Sequence, residues 1–130
     1  MLRCAVKAVT VAPVPSVLDS GDIEVTTEHT ADALASGGAQ VVDVREQYEW
    51  DEGRIEGALH VAMERLASDA DKIDRERPVI FHCRLGSRSA MAAQAFRRAG
   101  YDAYSMAGGI QQWANELRPM VPEGATVADH

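Results

Sequence analysis

Residues 78–106 read PVIFHCRLGSRSAMAAQAFRRAGYDAYSM, and the change of periodicity along this stretch decides the fold. Its first six residues, PVIFHC, form a continuous apolar run of the length and kind expected of a strand covered on both faces. Beyond Gly86, in SRSAMAAQAFRRAG, the residues Met91, Ala92, Ala95, Phe96 and Ala99 recur on one helical face, Arg97 and Arg98 lie on the other, and Gly100 supplies a stop. DAYSM then gives a second apolar strand. Strand, helix and strand in that order make a β-α-β unit, in which the strands are parallel and the crossover is right-handed.

The flanking sequence continues the alternation. From Thr26, TTEHTADALASGG offers a threonine cap, acids in the first turns and Gly37 as a stop, which predicts a short helix. QVVDVR predicts a strand interrupted by Asp43, EQYEWDEGRIEGA a loop, LHVA a short strand and MERLASDADKI a helix. GGIQQWANELRP closes with a turn and a helix ended by Pro119. Before Thr26, valines and alanines are mixed with Pro13, Pro15, Ser16, Ser20 and Gly21, so residues 1–25 read as an extended arm or an edge strand.

A chain of 130 residues with 46% hydrophobic and 25% charged residues is one ordinary globular domain. Its formal charge of −7 argues against a nucleic-acid partner or an anionic membrane surface. Any anion site must be built locally. No stretch approaches the ~18 apolar residues of a membrane span, and Lys7, Pro13 and Pro15 break up what a secretory leader needs as a continuous apolar core. Cys4 and Cys83 are the two cysteines, without a CxxC pair or a Cys/His cluster at zinc spacing, so neither a disulfide framework nor a metal is expected. A cytoplasmic, reducing location fits best.

Cys83 falls at the C-terminal end of a strand, where open α/β sheets bind ligands. The segment CRLGSRS can wrap so that its backbone N–H groups converge, Gly86 permitting a positive φ and the following helix directing its positive end inward. An ordinary thiol is only about 3% thiolate at pH 7. A helix terminus contributes roughly 0.3–1 kcal/mol, under one pH unit, so it does not suffice alone. Arg84, Arg88 and the inward N–H groups must supply the remainder. Cys83 is therefore the expected nucleophile, with Arg84, Leu85, Gly86, Ser87, Arg88 and Ser89 binding the substrate. Cys4 has no such loop. His82 is adjacent to Cys83 in a strand and so points to the opposite face, which makes it structural. His29, His60 and His130 have no shared metal spacing and read as surface or packing residues.

Three ordered pieces, VVDVREQYEWDEGRIEGALHVA, PVIFHCRLGSRS and MAGGIQQW, resemble the signatures of the rhodanese-like sulfurtransferases, across about residues 26–120. The resemblance implies a doubly wound α/β domain with a central parallel sheet flanked by helices, leaving residues 121–130 as a tail. It also implies a sulfurtransferase that moves a sulfane sulfur through a Cys83 persulfide from a small anionic donor, thiosulfate before mercaptopyruvate, to cyanide, a thiol or a protein acceptor. No cofactor or metal is implied. Asp43, Arg45 and Glu49 look like the family's structural ion-pair residues, Trp50 and Arg54 like surface or packing groups, and Trp113 like a residue packing the last helix. His60 stands where Asn is common. Two rivals share the fold: a cysteine phosphatase, whose loop has five residues between cysteine and arginine where Arg84 to Ser87 supply four, and a non-catalytic interaction module.

Overall fold

The computed structural model describes residues 23–129, so Cys4, His130 and the arm over residues 1–22 lie outside the described residues. The described residues form one parallel sheet of β1 (Glu24–Val25), β2 (Gln40–Asp43), β3 (Leu59–His60), β4 (Val79–His82) and β5 (Ala103–Met106). The spatial order is β1-β5-β4-β2-β3. From β2 the chain steps outward to β3, and from β4 it steps the other way to β5, so the order reverses between β2 and β4. Ligand sites of open α/β sheets form at such a reversal. Cys83 follows β4 directly.

Among the described residues four helices flank the sheet: α1 (Thr27–Ser36), α2 (Gln47–Glu52), α3 (Ser87–Arg98) and α4 (Gly109–Asn115). The period of two along each strand sorts the side chains between the faces. Val42, Val79, Phe81 and Cys83 pack with Ala92, Ala93 and Phe96 of α3. Val41, Ile80, Tyr104 and Met106 pack with Ala33 of α1 and with Ile110 and Trp113 of α4. α1 begins as the sequence predicts, with the Thr26 hydroxyl accepting the His29 N–H at 3.0 Å and Gly37 leaving the helix at φ 75°.

Three local expectations are corrected. The stretch 63–73 is two short 3-10 turns, Met63–Arg65 and Ala70–Lys72, rather than a helix. The Ser68 hydroxyl donates to the Arg65 carbonyl at 3.2 Å, and the Asp69 carboxylate faces both Arg65 and Lys72, so polar side chains compete with a continuous ladder. The expected loop 46–58 contains α2, because the Glu49 carboxylate accepts the Glu46 N–H at 2.9 Å and closes the first turn. Finally, α3 is rotated from its expected apolar face: it buries Ser89, Ala92, Ala93 and Phe96 and leaves Met91 61% exposed. Two polar anchors fix that rotation, Ser89 turned toward Cys83 and Arg97 donating to the Ala103 carbonyl at 2.7 Å while lying over the Tyr104 ring.

Candidate active site

The Cys83 side chain is 1% exposed and its sulfur meets two backbone donors. The backbone N–H groups of Gly86 and Ser89 reach its Sγ at 3.1 and 3.4 Å. Gly86 has φ 118°, which aims its N–H back at the sulfur. The loop carbonyls turn the other way: Cys83 and Arg84 accept the Ile110 and Gln111 N–H groups of α4 at 2.9 and 3.1 Å. Gly109 makes this approach possible, since a Cβ there would lie 2.3 Å from the Arg84 carbonyl oxygen. With its carbonyls tied to α4, the loop points the Gly86 and Ser89 N–H groups at the sulfur.

Beside the sulfur, the Ser89 hydroxyl lies 3.5 Å from Sγ, 3.1 Å from the Gly86 carbonyl and 2.8 Å from the Ser105 hydroxyl on β5. Both serines are fully buried.

The two loop arginines have separate surroundings. Arg88 holds Glu49 in a two-pronged ion pair, at 2.9 and 3.1 Å, and Glu49 is fully buried. Burial works against the charge on Arg88, but the Glu49 bonds and charge outweigh it and hold the guanidinium above its ordinary range. Arg84 is more exposed, and its nearest charged partner is Asp129 at 3.5 Å. Leu85 stands 60% exposed at the tip of the loop.

Behind the loop lies a second buried group. Arg45 clasps Asp43, with the shortest contact at 2.7 Å, and donates to the Gly53 carbonyl at 2.7 Å. Burial opposes ionisation of Asp43, yet the facing His82 and Arg45 outweigh it and hold its carboxyl below the ordinary range. His82, with Nε2 3.7 Å from Asp43, lies on the face opposite Cys83, and burial lowers its imidazole below the ordinary value, more than Asp43 raises it. The expected network of Asp43, Arg45 and Glu49 thus divides in two, with Glu49 paired to Arg88. Trp50 stacks on His60 at 4.7 Å beneath Arg54, and Trp113 donates to the Pro119 carbonyl at 2.9 Å. Sequence reasoning missed Ser105, whose signal was a hydroxyl in the middle of the otherwise apolar AYSM strand.

The family model for the rhodanese-like domain matches residues 26–116, which take in the β2–α2 region, the Cys83 loop and the Gly108–Gly109 turn. The chain belongs to the rhodanese-like family. Among relatives of this rhodanese-like chain, the thiosulfate sulfurtransferase GlpE of Coxiella burnetii is 36% identical over 74 residues, 56% of this chain and 69% of that one. The uncharacterized protein YqhL of Bacillus subtilis is 33% identical over 81 residues, 62% of this chain and 64% of that one, so the chain spans just under two thirds of its length. The crystal structure of a rhodanese-related protein from Thermoplasma volcanium superposes with a TM-score of 0.70 at 26% identity, over 75% of this chain and 96% of that one.

Proposed function

We propose that this rhodanese-like chain is a sulfurtransferase that carries sulfane sulfur on Cys83, with thiosulfate as the favoured donor. The observation that carries the reading is the pair of backbone N–H groups, from Gly86 and Ser89, directed at one buried sulfur. A sulfur whose negative charge is met by fixed donors is suited to alternate between thiolate and persulfide. The Cys83 thiolate attacks the outer sulfur of thiosulfate, an S–S bond forms, and the bond to the sulfonate sulfur breaks with its electron pair leaving as sulfite. An acceptor thiolate or cyanide then attacks the outer sulfur of the persulfide, and Cys83 departs as thiolate. Each step is a displacement at sulfur and leaves a stable anion, so none calls for a general base.

The loop from Arg84 through Leu85, Gly86, Ser87 and Arg88 to Ser89 surrounds the incoming sulfur. Of its two cations, Arg84 is the one with room to meet the donor's sulfonate, because both Arg88 terminal nitrogens are occupied by Glu49. The acceptor is a small thiol, cyanide or a protein thiol. The chemistry needs a reduced Cys83 and so fits the reducing cytoplasm. Among the described residues no helix is long and apolar enough to cross a membrane.

Intact mass spectrometry after thiosulfate treatment tests the reading. Wild-type protein gains about 32 Da, lost again on reduction, and thiocyanate appears when cyanide is added. Cys83→Ser does neither. Absence of the adduct and of thiocyanate in wild type would support an interaction module instead, and an adduct retained in Cys83→Ser would move the site elsewhere.

A further inference from the structure

We infer that Ser105, on β5 and outside the Cys83 loop, is a positioning residue for the sulfur: its hydroxyl passes a hydrogen bond through Ser89 when Cys83 loses its proton. The inference rests on Cys83 being the sulfur carrier, and it assigns a role to a strand residue that touches neither substrate nor sulfur.

The geometry is a line of three polar atoms. Cys83 Sγ lies 3.5 Å from Ser89 Oγ, and Ser89 Oγ lies 2.8 Å from Ser105 Oγ. All three residues are at most 1% exposed, so no bulk water replaces a missing partner. Among the hydrogen bonds of the described residues, the Ser105 side chain meets only Ser89. β5 otherwise presents alanine, tyrosine and methionine, and a hydroxyl left unsatisfied in such a buried strand is destabilising. Its satisfaction depends on Ser89, whose own hydroxyl lies between the Gly86 carbonyl at 3.1 Å and the Cys83 sulfur at 3.5 Å.

Each hydroxyl has one proton, which makes the line directional. With Cys83 a thiol, S–H donates to Ser89 Oγ, and the Ser89 proton points to the Gly86 carbonyl at 3.1 Å or to Ser105. When the thiol proton passes to solvent, the sulfur becomes an acceptor only. Ser89 O–H then turns from the Gly86 carbonyl to the sulfur, while its oxygen, which has two acceptor lone pairs, holds the Ser105 proton. A donor hydrogen-bonded from behind is a stronger donor. Ser105 thereby favours the thiolate at two bonds' distance, adding to the Gly86 and Ser89 N–H groups.

Charged groups around the line come from several elements: Arg88 of α3 and its partner Glu49 of α2, Arg84 of the loop, His82 of β4, and the Asp43–Arg45 pair. β5 contributes hydroxyl and backbone there, and α4 contributes backbone. Comparing variants at Ser105 and Ser89 leaves every one of these charges in place.

The experiment is the pH profile of Cys83 alkylation by iodoacetamide, followed by mass, in wild type, Ser105→Ala, Ser105→Thr, Ser89→Ala and the Ser89→Ala/Ser105→Ala double variant. Ser105→Ala moves the profile to higher pH and slows alkylation at pH 7 by about three- to tenfold, the scale of one hydrogen bond. Ser89→Ala slows it by about tenfold or more, and the double variant is no slower than Ser89→Ala, because the relay runs through Ser89. Ser105→Thr keeps the hydroxyl and the wild-type profile, and carries the comparison should Ser105→Ala melt below the assay temperature. A Ser105→Ala profile superimposed on that of wild type, additive losses in the double variant, or a displaced Ser105→Thr profile would overturn the relay. Failure of thiosulfate to load sulfur on Cys83 refutes the sulfur-carrier reading separately, since alkylation needs no donor.

Discussion

Arg88 carries a charge that two partners claim, Glu49 in the folded chain and the proposed anionic donor. From sequence, an arginine five residues after a reactive cysteine is expected to read an anionic donor. In the structure both terminal nitrogens lie on Glu49, which has no exposure to water and also closes the first turn of α2. Breaking one side of a buried pair costs more than the pair contributes, because a charge is stranded. Arg88→Ala therefore removes the guanidinium from a buried carboxylate and destabilises the fold by about 3 kcal/mol, whereas Glu49→Gln, which keeps one hydrogen-bonding partner, costs roughly half of that. Urea denaturation measures both. An Arg88→Ala protein as stable as wild type but impaired for thiosulfate would restore the arginine to a donor-reading role. The cysteine and its loop were legible because their signal is local: Gly86, two arginines and a helix start within six residues. The partner of Arg88 is 39 positions away, and Ser105 is 16 from Ser89, so sequence alone left those pairings open.

Among the elements, β4, α3 and β5 were legible because a switch from continuous apolar residues to helical spacing and back admits few folds. α2 was not, because glutamate is a poor N-cap by type and acts here only through the reciprocal bond between Glu46 and Glu49. The Met63–Ile73 stretch has apolar residues at helical spacing, yet its serine and aspartates divert the backbone into two tight turns. The join between the Cys83 loop and α4 is the element-scale feature on which the site depends. Gly109, at φ 63°, lets the Arg84 carbonyl approach the start of α4. A methyl group there meets backbone, which cannot swing aside as a flexible side chain does. Gly109→Ala is expected to separate the loop from α4, lower the melting temperature by several degrees and reduce sulfur loading of Cys83 at least tenfold. Gly124→Ala, at φ 82° with open space around its Cβ, bears the conformational cost without the clash and keeps normal loading. Equal loading by the two variants would show that the close approach does not hold the loop.

At the scale of the whole molecule, the segment beyond α4 returns to the site along α2. Val121 exchanges two backbone hydrogen bonds with Arg54, each 2.8 Å, and the Thr126 N–H donates to the Glu52 carbonyl at 3.0 Å. Gly53 admits this strap, since a Cβ there would stand 2.4 Å from the Thr126 carbonyl oxygen. Farther along, the Tyr48 hydroxyl donates to the Asp129 carbonyl at 3.1 Å, and the Asp129 carboxylate lies 3.5 Å from Arg84. The strap thus brings a negative charge to the arginine proposed to meet the donor. Asp129 is 97% exposed, so the pair is weak and easily screened. A weak competitor changes binding and leaves the chemistry alone. Asp129→Asn should lower the KM for thiosulfate by about 1.5- to 5-fold at low ionic strength with kcat unchanged, and the difference should vanish in ~1 M salt, where the screening length is only about 3 Å. Arg84→Ala should abolish the difference altogether, because the carboxylate then has no cation to occupy. Steady-state thiocyanate production by the wild type, the two single variants and the double variant measures this. A KM that stays put in Asp129→Asn at low salt, or one that still falls when Arg84 is already alanine, would mean that the strap does not gate the donor's cation.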